Sequence, residues 1–218
     1  MSKPIVISDP FPRKLELIFT KKKLRELTSK YKLLIAPNKN KKQFYKKYID
    51  NVTFIMGQPD LDKKILSKAK KLKAIINVES NFMNNVDYLY CAKKGIHVIA
   101  TSPVFSKPVA EIALGMTLSL LRNIHNAHFD FVKGSEKYGL ESNLKASLLS
   151  GKKIGLLGFG DLAKSLYPML LPFTKDINVY DPWLSKNKIK RFGFKPVSLN
   201  QMLKTCEIIN TFCNSAAK

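Results

Sequence analysis

Two glycines, an alanine and an acid stand at a spacing that suits one task, cradling the phosphates of a dinucleotide. Gly158-Phe159-Gly160-Asp161-Leu162-Ala163 follows directly on the apolar run Lys153-Ile154-Gly155-Leu156-Leu157. A strand that feeds a helix through Gly-x-Gly-x-x-Ala gives each small residue a purpose. Gly158 permits the tight turn, Gly160 lets a pyrophosphate approach the backbone, and Ala163 allows close helix–strand packing. The amides of Asp161 and Leu162 at the helix start would meet the phosphates, and the helix dipole would favour their charge. The Asp161 side chain is then expected to turn to solvent. About twenty residues on, Val179-Tyr180-Asp181-Pro182 places an acid at the end of the next apolar run. Asp181 there would accept hydrogen bonds from the ribose hydroxyls and repel a 2′-phosphate. No arginine follows closely, although Lys186 is near, so NAD is expected rather than NADP.

Other chemistry-bearing residues are less persuasive. His125 and His128 lie at i, i+3 after a long apolar run, and His97 lies in a strand-like run. All three precede the glycine loop and read as surface or packing histidines. Arg122 suits the negative end of a helix, Arg191 lies among lysines, and Glu111 suits the positive end of a helix. Cys91, Cys206 and Cys213 are an odd number at unrelated spacings, which suggests neither a disulfide framework nor a metal site. No catalytic residue and no metal ligand is assigned.

The elements that must position the loop alternate regularly. Strand-like runs occur at Pro4–Ser8, Leu33–Ala36, Val52–Met56, Leu72–Val78 and Ile96–Ala100, with lysine-rich segments of helical spacing between them. Short β-branched strands separated by helices predict a parallel α/β sheet covered on both faces. The segment 101–108, with two prolines, reads as a connector. Val109–Ile124 is apolar almost all round and is expected to be buried, either between domains or against a second copy. Asp130–Ser150 reads as an irregular arm. From Gly151 the alternation resumes with strand Ile154–Leu157, helix Asp161–Leu171 and strand Ile177–Tyr180. A short strand near Phe194–Val197, helix Leu199–Lys204 and strand Glu207–Phe212 follow.

The formal net charge of +22 comes from 38 Lys+Arg against 16 Asp+Glu. Nearly all the basic residues are lysines scattered over most helical segments, whereas phosphate-forking surfaces favour arginine. A lysine-rich surface without a specific nucleic-acid partner is therefore expected. The longest apolar run, Val109–Leu121, is shorter than a membrane span and is bracketed by Glu111 and Arg122. The N-terminus lacks the apolar region of a secretory signal. No membrane association and a cytoplasmic location are the expectations.

Taken in order, these motifs resemble the D-isomer-specific 2-hydroxyacid dehydrogenase family. The resemblance rests on Lys71–Val98 with its Asn84-Asn85-Val86-Asp87, on Pro108-Val109-Ala110-Glu111 and the apolar helix after it, and on the glycine loop with Tyr180-Asp181-Pro182-Trp183. It implies a flavodoxin-like N-terminal domain at 1–103 on the substrate side. An NAD-binding Rossmann domain at 104–218, incomplete at its C-terminal side, would follow. Where relatives often carry a Gly-x-Gly loop that grips the substrate carboxylate, this chain has Ser80-Asn81-Phe82, and those three are the expected substrate contacts. The cofactor contacts implied are Gly158 to Ala163, Asp181 and Pro182. The resemblance further implies a homodimer through Val109–Leu121 and hydride transfer between NAD(H) and a 2-hydroxy or 2-keto acid. The family's catalytic arginine, glutamate and histidine lie beyond the fourth Rossmann strand, and no residue here matches them. A C-terminally truncated dehydrogenase, inactive alone, is one expectation. A non-catalytic NAD-sensing or dimeric scaffold protein is the other.

Overall fold

A computed structural model describes residues 3–9, 11, 13–79 and 82–212. They divide into two units, Met1–Ser102 and Pro103–Lys218, each built on its own parallel sheet.

In the first unit the strands are β1 (Ile5–Asp9), β2 (Lys32–Ile35), β3 (Val52–Gly57), β4 (Ala74–Asn77) and β5 (His97–Ala100), in the order β2-β1-β3-β4-β5. All neighbours pair in parallel. The helices α1 (Leu15–Ile18), α2 (Lys21–Lys30), α3 (Lys41–Tyr48), α4 (Lys63–Leu66) and α5 (Tyr88–Lys94) make the crossovers. Strand order reverses after β2, so right-handed crossovers put α3, α4 and α5 together on one face of the sheet. The core agrees: Tyr45, Ile49, Leu66 and Cys91 of that layer pack on Ile7, Ile55 and Ile75 of the central strands. Asp62 and Asp87 cap α4 and α5 by accepting from the Ile65 and Tyr90 amides, as short polar side chains do at helix starts. Gly95 ends α5 at φ 68°, the left-handed conformation that glycine adopts without penalty.

The second unit opens with α6 (Ser102–Leu121), α7 (Ile124–Val132) and α8 (Gly139–Asn143). Its sheet follows: β6 (Ile154–Leu157), α9 (Asp161–Leu170), β7 (Ile177–Tyr180), α10 (Lys186–Arg191), β8 (Lys195–Pro196), α11 (Leu199–Thr205) and β9 (Ile208–Thr211). The order is β8-β7-β6-β9, all parallel. Ile154, Leu156, Ala163, Leu166, Leu170 and Val179 form the buried centre. Gly155 faces α11 so closely that a Cβ there would lie 2.8 Å from Met202 Cγ and 2.9 Å from its sulfur.

Three expectations need correcting here. The proline-bearing segment 101–108 is not a connector but the first part of α6, with Pro108 inside the helix. Pro103 falls in the first turn, where a missing N–H costs nothing, and Pro108 forfeits one interior bond. The long helix is not buried all round. Ala110 and Thr117 are buried, and Ala113, Leu114, Leu118 and Leu121 pack on the sheet's core, while Ile112, Met116 and Leu120 are exposed. With the segment 102–108 included, α6 has the length and apolarity that could span a bilayer, which the shorter run did not suggest. Finally, the arm 130–150 is partly helical, with α7 and α8 carrying exposed Ile124, Phe129, Phe131, Val132 and Leu140.

Candidate cofactor-binding site

The loop after β6 is built as its glycines require. Gly158 has φ 88°, a backbone conformation that a side chain would strain. Gly160 is the N-cap of α9 with no side chain to cap it, which leaves the first helical amides without an internal partner. A Cβ on Gly160 would meet nothing within 4 Å, so the space over the helix N-terminus is open. Ala163 is buried in the helix–sheet seam. A diphosphate fits this arrangement: free amides, a positive helix end and room for close approach.

Asp181 organises the site more than its position in the sequence suggests. Its Oδ2 accepts the Phe159 amide at 2.7 Å. Its Oδ1 accepts the Trp183 amide at 2.8 Å and the Leu184 amide at 2.9 Å. One carboxylate thus joins the glycine loop to the turn after β7, and the Gly158 amide adds a bond to the Tyr180 carbonyl at 2.7 Å. A carboxylate has about four acceptor positions, so roughly one remains for a ribose hydroxyl. Phe159, expected near the cofactor, sends its side chain into the core at 1% exposure. There it packs against Phe194, with ring centroids 4.4 Å apart, and against Phe192 at 6.2 Å. Lys164 lies over the Phe192 ring at 4.7 Å. What Phe159 can offer a ligand is therefore backbone. Asp161 and Leu162 are half-buried at the start of α9, and Pro182 is exposed. Lys186 is the first residue of α10, behind the Ser185 cap.

In the first unit, Phe82 is exposed and meets the Tyr88 ring edge-on at 5.8 Å. Ser80 and Asn81 lie outside the described residues. Sequence reasoning missed a buried polar cluster at the carboxyl end of β1. Asp9, 1% exposed, accepts from Lys41 Nζ at 2.6 Å and from the Tyr45 hydroxyl at 3.1 Å. Burial, and then the Asp9 charge, push the Tyr45 hydroxyl's pKa far above its usual range. The partners are more than 30 positions apart, and no local spacing signals them. His97, His125 and His128 are all exposed. Among the described residues no group of three or more His, Cys, Asp or Glu could hold a metal ion.

Comparison with known proteins agrees with this geometry. Residues 114–218 match the family described as D-isomer specific 2-hydroxyacid dehydrogenase, NAD binding domain. A Staphylococcus haemolyticus protein, provisionally named a 2-hydroxyacid dehydrogenase, is 28% identical over 176 residues, covering 74% of this chain and 54% of that protein. A phosphoglycerate oxidoreductase from Rhizobium etli superposes with a TM-score of 0.81 at 40% identity, covering 96% of this chain and 66% of that one. A D-lactate dehydrogenase from Aquifex aeolicus, solved with NAD and lactic acid, gives 0.69 at 22% identity, covering 96% of this chain and 60% of that one. That last likeness speaks to the fold. The chain spans about half the length of the curated relatives it matches.

Proposed function

The chain belongs to the D-isomer-specific 2-hydroxyacid dehydrogenase family, and from that premise we propose that its second unit holds the adenosine diphosphate half of NAD for hydride transfer to or from a small 2-hydroxy or 2-keto acid. The observation that carries the proposal is the uncapped N-terminus of α9 beneath the open face of Gly160. NAD, when bound, supplies the hydride chemistry. The chain's own residues bind and orient it. The amides of Asp161, Leu162 and Ala163 would take the diphosphate, and Asp181 would accept from the ribose. Pro182 would border the ribose beside the exposed Trp183. Asp181 also disfavours a 2′-phosphate by its charge. In the first unit, Ser80, Asn81 and Phe82 are proposed to contact the acid, within a domain spanning 1–103, with 104–218 as the cofactor domain.

None of the described residues pairs a histidine with a carboxylate near the glycine loop. We therefore propose that this chain by itself binds cofactor weakly and does not turn over. Calorimetric titration separates the possibilities. NADH and ADP-ribose are expected to bind with affinities within about threefold of each other, because only the shared half is contacted. Tight stoichiometric NADH binding with a large preference over ADP-ribose would overturn the reading.

A second reading, a non-catalytic NAD-binding dimeric scaffold, is favoured by the exposed apolar faces of α6 and α7. The segment 123–148 carries Lys133, Lys137 and Lys145 against Asp130, Glu136 and Glu141, balanced within a chain of net charge +22. Two such chains repel over most of their surface. An apolar, charge-neutral patch is where they can meet, and large exposed apolar patches mark such contacts. The free thiols of Cys91 and Cys206 support a reducing, cytoplasmic location.

A further inference from the structure

The connection between β4 and α5 is fastened at both ends by groups from other elements. At its far end, Asn85 Nδ2 donates to the Pro59 carbonyl at 2.8 Å, and the Leu61 amide donates to the Asn85 carbonyl at 2.7 Å. The Tyr88 hydroxyl donates to the Met83 carbonyl, and Gln58 Nε2 reaches the Met83 sulfur at 3.0 Å. At its near end, Arg13 grips Glu79. Nε donates to Oε1 at 2.7 Å and Nη2 to Oε2 at 3.1 Å. The Thr101 amide, just past β5, donates to the Glu79 carbonyl at 3.3 Å. Residue 79 is thereby tied to the loop after β1 and to the end of β5.

The fold does not require this tether. β4 is already held between β3 and β5, and α5 is capped by Asp87 and anchored by buried Cys91. A planar two-point fork fixes orientation as well as distance, which a lysine at the same place could not do. It also cancels charge: the Glu79 carboxylate, about one-third exposed, would otherwise stand beside the position assigned to an anionic ligand.

We propose that Arg13 is a positioning residue for acid recognition. Through its fork on Glu79 it sets the start of the segment leading to residues 80–82, and it neutralises a carboxylate that would repel the ligand's own. This rests on the assignment of Ser80, Asn81 and Phe82 to the substrate, so the test reads the tether and the ligand separately. Arg13→Ala, Arg13→Lys and Arg13→Ala with Glu79→Gln are made in the full chain. Amide hydrogen exchange is followed at Phe82 to Asn85, and oxalate, a small dianionic probe, is titrated by amide NMR. Arg13→Ala is expected to speed exchange at those amides about tenfold and to weaken oxalate roughly fivefold, with β1 and β3 unchanged. Arg13→Lys recovers oxalate affinity more than protection, because it restores charge without the fork. Adding Glu79→Gln to Arg13→Ala recovers affinity in part and protection not at all. Unchanged exchange and affinity in Arg13→Ala would overturn the proposal, and so would accelerated exchange throughout the unit. If the wild type ignores oxalate while exchange still responds, the substrate assignment falls and the tether stands.

Discussion

At the scale of single residues, Gly160 and Gly155 are both glycines of the cofactor unit, yet they answer to different demands. Gly160 keeps space open: it lies at φ −83° with nothing near its missing Cβ. Gly160→Ala is expected to leave thermal stability within a degree or two and to abolish measurable ADP-ribose binding by calorimetry. Gly155 is required by packing, and an added methyl would meet Met202 and Cys206. Gly155→Ala should cost about 1–3 kcal/mol, as overpacking does, read as a lower denaturant midpoint. Asp181 combines both demands. Asp181→Ala frees the Phe159, Trp183 and Leu184 amides and is expected to weaken ADP-ribose and lower the melting temperature together. Gly158, Gly160, Ala163 and Asp181 were legible in the sequence because a phosphate cradle is local, one turn with one helix start. The three bonds of Asp181 were not, because they depend on how the turn after β7 closes over the loop.

At the scale of elements, β6 and β7 occupy the residues their apolar runs indicated, and the strands of the first unit lie within a residue or two of expectation. A buried parallel strand announces itself by composition. α6 does not, because prolines at 103 and 108 read as breaks, and only packing on the second unit's core shows the helix running through them. The Asp9 cluster was likewise invisible, being made by α3 closing on the end of β1. It carries a stability prediction for the first unit. Lys41→Ala leaves a buried carboxylate without its cation and should cost about 3–5 kcal/mol, and Tyr45→Phe about 1–2 kcal/mol, by chemical denaturation. Burial raises the pKa of Cys91 above its ordinary 9.0 and that of Tyr45 above its ordinary 10.0. Both groups keep their protons in the folded chain at a pH where the unfolded chain loses them. Stability is therefore expected to fall as pH rises above these ordinary values, first for Cys91 and then for Tyr45. Tyr45→Phe should flatten the later part of that decline.

At the scale of the whole molecule, the two units each bring one end of a family chemistry, and the exposed apolar faces of α6 and α7 ask for a partner. If that partner is a second copy, Met116→Lys combined with Leu120→Lys should shift sedimentation from dimer to monomer without unfolding the sheet, since both side chains are exposed. An unchanged sedimentation coefficient would remove the dimer. The clamp at Asp181 has an optical consequence. The chain holds a single tryptophan, Trp183, whose ring is exposed and whose amide is bound to the same carboxylate that holds the glycine loop. Its emission is therefore a built-in gauge of loop occupancy. A blue shift or quench on adding ADP-ribose, lost in Gly160→Ala, would read out the cradle in an unlabelled protein.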